Sequence, residues 1–366
     1  MTPEDHRFPC DNCGSDMRFD PGRFELHCDH CGNTAPIYSD PAARSDAVRE
    51  HDFLTALDAT TGATEMTESR VSRCPNCGAE VEFDPDIHAT ECPYCATPVV
   101  TGTGAERRIK PAAVLPFVLD EESARDRMTD WLGSLWFAPN GLTQYARKGR
   151  RLSGVYTPCW TFDADTKTAY RGQRGTVHTK TRTVTRNGKP TRVTTSHVTW
   201  RPVSGRVARF FDDVLVLAST ALPERFRAGM THWDLTRLEP YMPEYLAGFR
   251  AEAYTIALDE AWPMARGIMD RQIARDIKFD IGGDRQKIDA MDTAISDVTY
   301  KHILVPLWLA AYKYRGKSFR FVVNGQTGEV QGERPWSAWK LFFAFLLAAI
   351  VAGGIGYLWA KSEGQI

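Results

Sequence analysis

Eight cysteines fall near the start of the chain as four Cys-x2-Cys pairs: Cys10/Cys13, Cys28/Cys31, Cys74/Cys77 and Cys92/Cys95. The chemistry this pattern supports is tetrahedral thiolate ligation, because two sulfurs presented across one tight turn fill half of a four-coordinate shell. The second set repeats the first at an offset of 64 residues, and Phe19-Asp20-Pro21 recurs as Phe83-Asp84-Pro85, so two copies of one module are expected. A module this small buries too little apolar surface to fold unaided, and a bound ion supplies the missing free energy. The paired spacing favours two structural zinc ions over disulfides or rubredoxin-like iron. His27 and His30 are alternative donors, but four cysteines already close each shell, so both are expected at the surface. A closed shell leaves no position for substrate, and no catalysis is assigned to the zinc. Gly14, Gly32 and Gly78 follow the pairs where the turn favours positive φ, with Ala96 the exception.

Other chemical signals are weaker. Ala311 to Ser318 loosely fits a phosphate-binding loop, but such a loop must open a helix. Here Tyr312–Arg315 and Ser318–Val323 alternate as strands, so Gly316-Lys317 is expected to be a hairpin turn. Asp276, Asp280 and Asp284 recur every four residues, with Gly282-Gly283 between the last two; such carboxylates could serve a metal or acid/base role, but a solvated helix end is expected. Asp212-Asp213 abuts the strand Val214–Leu217, where it could cap that strand or pair with the basic ribbon. Cys159 lies in an apolar strand and is expected to be buried and inert. The nine histidines form no catalytic signature, and no enzyme is expected.

The whole chain of 366 residues has a net charge of −1, so a polyanion could be met only by a local patch. Such a patch exists. From Thr166 to Phe211 there is no Asp or Glu, while 11 residues are Lys or Arg. Alternating Thr, Val and Arg around Asn187-Gly188 predict a long basic β-hairpin over 171–206. It should project, since it has few apolar residues to pack, and contact anionic lipid or nucleic acid; the alternative is a solvated hairpin whose Arg and Thr only keep its edges from aggregating. Between Tyr170 and Trp200 it has no aromatic residue for base stacking.

The expected architecture is α+β. Two zinc ribbons (1–38 and 71–100) are joined by a linker (39–70) with one short helix in Asp46–Leu57. Thr101–Gly104 marks a boundary before a central α+β domain (105–335). Within that domain, strand Ala113–Leu119, a helix from Asp120 to about Leu135 and strand Val155–Phe162 form one unit. Strand Tyr254–Leu258, a helix to about Ile277 and strand His302–Ala310 match it through Leu119-Asp120-Glu121 with Leu258-Asp259-Glu260, and Pro158-x-Trp160 with Pro306-x-Trp308. A duplicated unit forming two related lobes is expected. Residues 341–360 are uncharged and mostly apolar; at about 1.5 Å per residue they span about 30 Å, a bilayer core. Lys340, Lys361 and nearby Trp and Tyr residues bracket them, and the small-xxx-small pairs Ala349/Gly353 and Ala352/Gly356 would permit close helix packing. The polar, acidic N-terminus carries no signal-peptide run. With thiolate sites, this places the bulk of the chain in a reducing cytoplasm, in a tail-anchored, single-pass arrangement on the inner membrane.

With the double ribbon, Pro158-Cys159-Trp160, Asn324–Val330, Gly332-Glu333-Arg334-Pro335 and the terminal apolar helix, the chain resembles bacterial TFIIB-type zinc-ribbon membrane proteins. These are often labelled relatives of primosomal protein N′ (replication factor Y), a superfamily II helicase, but the motor motifs that label implies are missing. Similar membrane-anchored ribbon proteins recruit phage-shock-protein-A-like coat proteins. The resemblance therefore implies a non-enzymatic adaptor or scaffold in an envelope-stress or membrane-remodelling system, with the ribbon cysteines as the only residues carried over. The alternative is a membrane-associated nucleic-acid binder linked to replication.

Overall fold

Phe19 and Leu26 alternate with charged neighbours, and the first ribbon folds on that alternation. In a computed structural model, which describes residues 8–58, 66–82, 89–95, 97–100, 105–139, 152–186, 189–230, 232–314 and 317–362, β1 (Arg18–Asp20) pairs antiparallel with β2 (Glu25–His27). Phe19 stands opposite Leu26, and β3 (Thr34–Pro36) extends the sheet. The linker departs from the expected single helix. Two short helices, α1 (Pro41–Ala47) and α2 (Phe53–Leu57), flank β4 (His51–Asp52). Asp40 and Asp52 each cap a helix, accepting from Ala42 N and Thr55 N. Of the apolar residues that suggested one helix, only Phe53 is buried; Val48, Leu54 and Leu57 are exposed. The linker is also tied down. Arg44 grips Glu239 through two hydrogen bonds of 2.9 and 2.8 Å.

In the second ribbon, β5 (Met66–Arg73) pairs with β6 (Glu80–Glu82), while β7 (Ala89–Glu91) pairs with β8 (Pro98–Val100). Strand β9 (Ala105–Ile109) returns along β5. Phe83-Asp84-Pro85, Ala96 and the boundary at 101–104 lie outside the described residues.

Asp120 caps α3 (Glu121–Ser134) by accepting from Ser123 N, and Ala124, Met128 and Leu132 bury one face of that helix. Before it lies β10 (Ala113–Val114); after it come β11 (Ser153–Arg186), β12 (Lys189–Leu217), α4 (Glu224–Gly229), β13 (Glu239–Pro240) and β14 (Arg250–Ala251). The chain continues through α5 (Leu258–Ile281), β15 (Arg285–Tyr314), β16 (Lys317–Asn324), β17 (Val330–Gly332) and α6 (Ala338–Ser362). Lys317 pairs with Tyr314 across a hairpin and opens β16, so the phosphate-loop pattern is not followed by a helix. The turn residues 187–188 and 315–316 are outside the described residues.

These elements form two compact units. The first comprises Met1–Ala164, Phe211–Gly267 and Asp297–Pro335; the second comprises Asp165–Phe210, Ile268–Ser296 and Trp336–Ile366.

The two segments expected to form related lobes instead contribute to one sheet of the first unit. Residues 254–258 are not a strand; the chain is extended one step earlier, at β14. Strand β10 runs parallel to β15, with Ala113 beside Ile303, and β14 runs parallel to β11, with Arg250 beside Val155. Each segment's first strand thus pairs with the other segment's last. The hydrogen bonds around the two tryptophans match. Pro158 O accepts from Ala218 N and Pro306 O from Gly325 N; Ala218 O accepts from Thr255 and Ile256 N, Gly325 O from Val118 and Leu119 N. Trp160 Nε1 donates to Ile256 O and Trp308 Nε1 to Leu119 O, both at 2.9 Å. The turn Asn324–Glu329 is structural too. Buried Asn324 accepts from Gln326 N and Thr327 N and donates to His232 O, while Gln326 makes two hydrogen bonds to the Asp234 backbone.

In the second unit, β11, β12 and the start of β15 form a three-stranded ribbon backed by the end of α5. The hairpin is therefore braced at its base, and the aspartates expected to be solvated are the braces. Asp276 takes both Nε and Nη2 of Arg209 at 2.6 and 2.9 Å, Asp280 accepts from Tyr170, and Asp284 accepts from Val177 N. Glycine makes the close approach possible: a Cβ on Gly172 would lie 2.4 Å from Lys287 O, and one on Gly205 would lie 2.6 Å from the Tyr170 hydroxyl.

Candidate metal centres

Four knuckles share one local geometry. In each, the first cysteine's N–H donates to the carbonyl of the residue five positions on: Cys10 to Ser15, Cys28 to Asn33, Cys74 to Ala79 and Cys92 to Thr97, all at 2.8 Å. The glycine after three of the pairs closes the loop by donating back to Cys10, Cys28 and Cys74, with φ of 74–75° at Gly14, Gly32 and Gly78. That left-handed backbone is where a side chain would be strained.

The knuckles converge in pairs. Cys10 and Cys31 sulfurs are 3.5 Å apart and Cys13 and Cys28 3.6 Å; in the second set Cys74–Cys95 and Cys77–Cys92 are each 3.6 Å. All four sulfurs of each set lie within 4.8 Å of one another. A tetrahedron with metal–sulfur bonds of about 2.3 Å has edges of about 3.8 Å, whereas a disulfide holds its sulfurs at about 2.05 Å. The eight cysteines are free, and both quartets fit a four-coordinate ion. The same crowding shows in the thiols. The contact with Cys77 pulls Cys92 down to about 5, while Cys92 and burial push Cys77 up. A divalent cation would relieve this by taking all four as thiolates. Asn33 Nδ2 lies 3.5 Å from Cys10 Sγ as an outer partner, and His27 and His30 are outside both quartets.

The ribbons are built into the first unit. Phe19 N donates to Ala247 O, and the Phe19 ring meets Tyr245 edge-on at 5.3 Å. Cys10, Met17, Phe19, Leu26 and Cys28 share one apolar cluster with Phe117, Tyr156 and Trp308. Cys74, Ala79, Val81, Cys92 and Tyr94 share another with Leu115, Val155, Cys159 and Ile303. A polar lock adds to the second contact. Buried Glu252 accepts from Tyr94 OH and from Ser219 Oγ at 2.6 Å, and Tyr94 OH also meets Thr157 at 3.1 Å. No sequence signal pointed to Glu252.

Burial pushes the Glu252 carboxyl up to about 8, against hydrogen bonds from Ser219 and Tyr94 that lower it. The folded chain keeps this proton where the unfolded chain, titrating near 4.5, has lost it, so stability declines as pH climbs from about 4.5 to 8. Glu252→Gln should flatten that decline. The thermal midpoint should rise by roughly 5 °C at pH 8 and stay unchanged at pH 4.5, and melts at both values check it.

No family model matches the chain, and no solved structure does. The chain is similar to the "Uncharacterized protein YdjG" of Bacillus subtilis (strain 168), 26% identical over 365 residues that cover 95% of this chain and 98% of that protein.

A third cluster of ligand-type groups, Glu50, Asp163, Asp212 and Asp213, also has its carboxylates within 4.8 Å of one another. The buried Lys301 ammonium serves it, 2.8 Å from Glu50 and 2.9 Å from Asp213. Asp213 reaches this position from a backbone φ of 54°, with its N–H donating to Asp163 Oδ1 at 2.6 Å. Asp213 thus pairs with Lys301, neither capping its strand nor meeting the basic ribbon. Burial and the Glu50 hydrogen bond push Asp163 up to about 7. Glu50, although raised by burial, is brought below the ordinary range by hydrogen bonds from Asp163, Lys301 and Thr299. The cluster is an ion-pair network with its cation built in. Cys159 is fully buried with its thiol pushed up by burial, which suits an inert residue.

The third feature is α6. Ala338–Trp359 is 22 residues long, apolar enough to cross a membrane, and uncovered by the rest of the chain.

Proposed function

We propose that this protein is a non-enzymatic adaptor: two structural zinc ions stabilise its folded unit, α6 holds it in a membrane with the bulk on the cytoplasmic side, and it recruits a phage-shock-protein-A-like coat protein. The observation that carries this is the pairing of two four-cysteine quartets with an exposed apolar helix in one chain. Thiolate sites need a reducing compartment, which supports the cytoplasmic side. The matched hydrogen bonds around Trp160 and Trp308 support an internal repeat, with Ile256 rather than Leu258 equivalent to Leu119.

Removing residues 338–366 should move the chain from the membrane pellet to the supernatant with both metal ions retained, read by fractionation and elemental analysis. A truncated chain that still pellets after high-salt washing refutes α6 as the anchor. For the partner, zwitterionic vesicles carrying the full chain should co-sediment a purified coat protein of this type that bare vesicles leave in solution. Equal sedimentation with both refutes recruitment.

A further inference from the structure

The basic hairpin reaches beyond its braces. The last aspartate to touch it, Asp284, bonds at Val177. From there outward, every residue from His178 to Thr185 and from Arg192 to His197 is exposed, so neither face of the ribbon is covered. A bare two-stranded ribbon is marginal in water by itself. This one is kept in register by a cross-strand Thr181–Thr194 hydroxyl contact of 3.2 Å and by stacking of His178 on His197 at 5.2 Å. Its charge is of one sign. Lys180, Arg182 and Arg192 are exposed here, and nearer the base Lys167, Arg171 and Arg206 point into solvent as well. Arg209, by contrast, is already neutralised by Asp276.

We propose that the distal strands of the hairpin, residues 178–185 and 192–197, are a docking surface for anionic lipid headgroups, laid against the bilayer in which the same chain is anchored. The match is of charge: an acid-free basic ribbon meets the negative potential of a phosphatidylglycerol-type surface, where each Lys or Arg gains attraction within a Debye length. Two features favour lipid over nucleic acid. Single-stranded nucleic acid is gripped by open aromatic platforms; no Phe, Tyr or Trp lies between Tyr170 and Trp200, the His178 and His197 rings stack on each other, and the Trp200 ring is itself taken by the Lys287 ammonium, 4.3 Å from its centroid. In addition, Val184 and Val193, both exposed, sit among the distal cations and give the ribbon an apolar element that headgroups accept and phosphate backbones do not use.

This inference rests on the proposed function for the nearness of a bilayer, so the test separates the two. The full chain is reconstituted into nanodiscs of phosphatidylcholine alone or with about a third phosphatidylglycerol. Co-elution with the discs reads the anchor; amide hydrogen exchange over 178–197 reads the hairpin. Expected is exchange about tenfold slower in the anionic discs than in the neutral ones, lost in 0.5 M NaCl. The triple variant Lys180→Gln, Arg182→Gln, Arg192→Gln should keep the parent's melting temperature and lose the protection. Equal exchange in the two discs despite co-elution overturns the proposal. So does protection in neutral discs by a DNA strand at the same phosphate concentration, which would assign the ribbon to nucleic acid.

Discussion

With zinc bound as proposed, chelation should unfold the first unit and not only its two ribbons. Structural zinc in small thiolate sites is worth about 10–16 kcal/mol of apparent binding free energy near neutral pH, which matches or exceeds the whole stability of a typical domain. In an independent finger that loss stays local. Here Cys10, Cys28, Phe19 and Leu26 lie in one core cluster with Phe117 and Trp308, and Cys74, Cys92 and Tyr94 lie in the other with Val155 and Ile303. Freed ribbons would withdraw both sets of side chains from the sheet and leave Glu252 buried without its tyrosine. Elemental analysis of the untreated chain should return two zinc ions per molecule. Chelation in mild detergent should then abolish the cooperative thermal transition, and Cys92→Ser should lower its midpoint by more than 10 °C, since a few kcal/mol already shifts a unit of this size by that much. A chelated chain that melts as before would show that the ribbons contribute nothing to the fold they touch. Recovery of iron in place of zinc would remove the redox-inert shell on which the structural role depends.

How far the sequence could anticipate this follows from the range of each interaction. The knuckles were legible because every bond in them is local: Cys10 to Ser15, Gly14 back to Cys10. Helix α3 announced itself through Asp120 and the acidic pair after it, and α6 through unbroken apolarity. Docking of the ribbons was not legible. Phe19 finds Tyr245 and Tyr94 finds Glu252 across a sequence separation that no periodicity records. The linker misled for a related reason. Val48, Leu54 and Leu57 have helical spacing but face solvent, while the segment's real anchor is polar, Arg44 on Glu239. Tyr254 to Leu258 looked like a strand because it is apolar. Its Thr255 and Ile256 amides both go to the single carbonyl of Ala218, a convergence that no strand ladder makes. Asp276, Asp280 and Asp284, in and just after α5, were legible as a four-residue repeat, yet their role as braces depended on a ribbon far away in sequence.

Lys301→Ala should be among the most damaging single changes outside the metal sites. Lys301 is 5% exposed and its ammonium pairs with both Glu50 and Asp213. Removing one member of such a buried network leaves carboxylates without compensation, at a cost of about 3–5 kcal/mol. Its pH dependence separates charge from packing. Burial lowers the Lys301 ammonium but its two carboxylates more than reverse this, so its contribution persists below its ordinary range near 10.5 and fades only above it. Glu50, held below its ordinary 4.5, contributes above that value and loses the contribution as pH falls through its depressed range. Asp163 runs the other way: it holds a proton up to about 7 when folded, so protonating conditions favour it. The gap between parent and Lys301→Ala should therefore be widest at pH 7–9 and shrink toward pH 4, where the orphaned carboxylates can be neutral. Lys301→Met, which keeps the stem's packing, should show the same pH trend with a smaller loss. Chemical denaturation of the detergent-solubilised chains at pH 4, 7 and 9 distinguishes the outcomes. A deficit of equal size at every pH would mean that Lys301 acts through its methylenes and that the acidic cluster needs no internal cation.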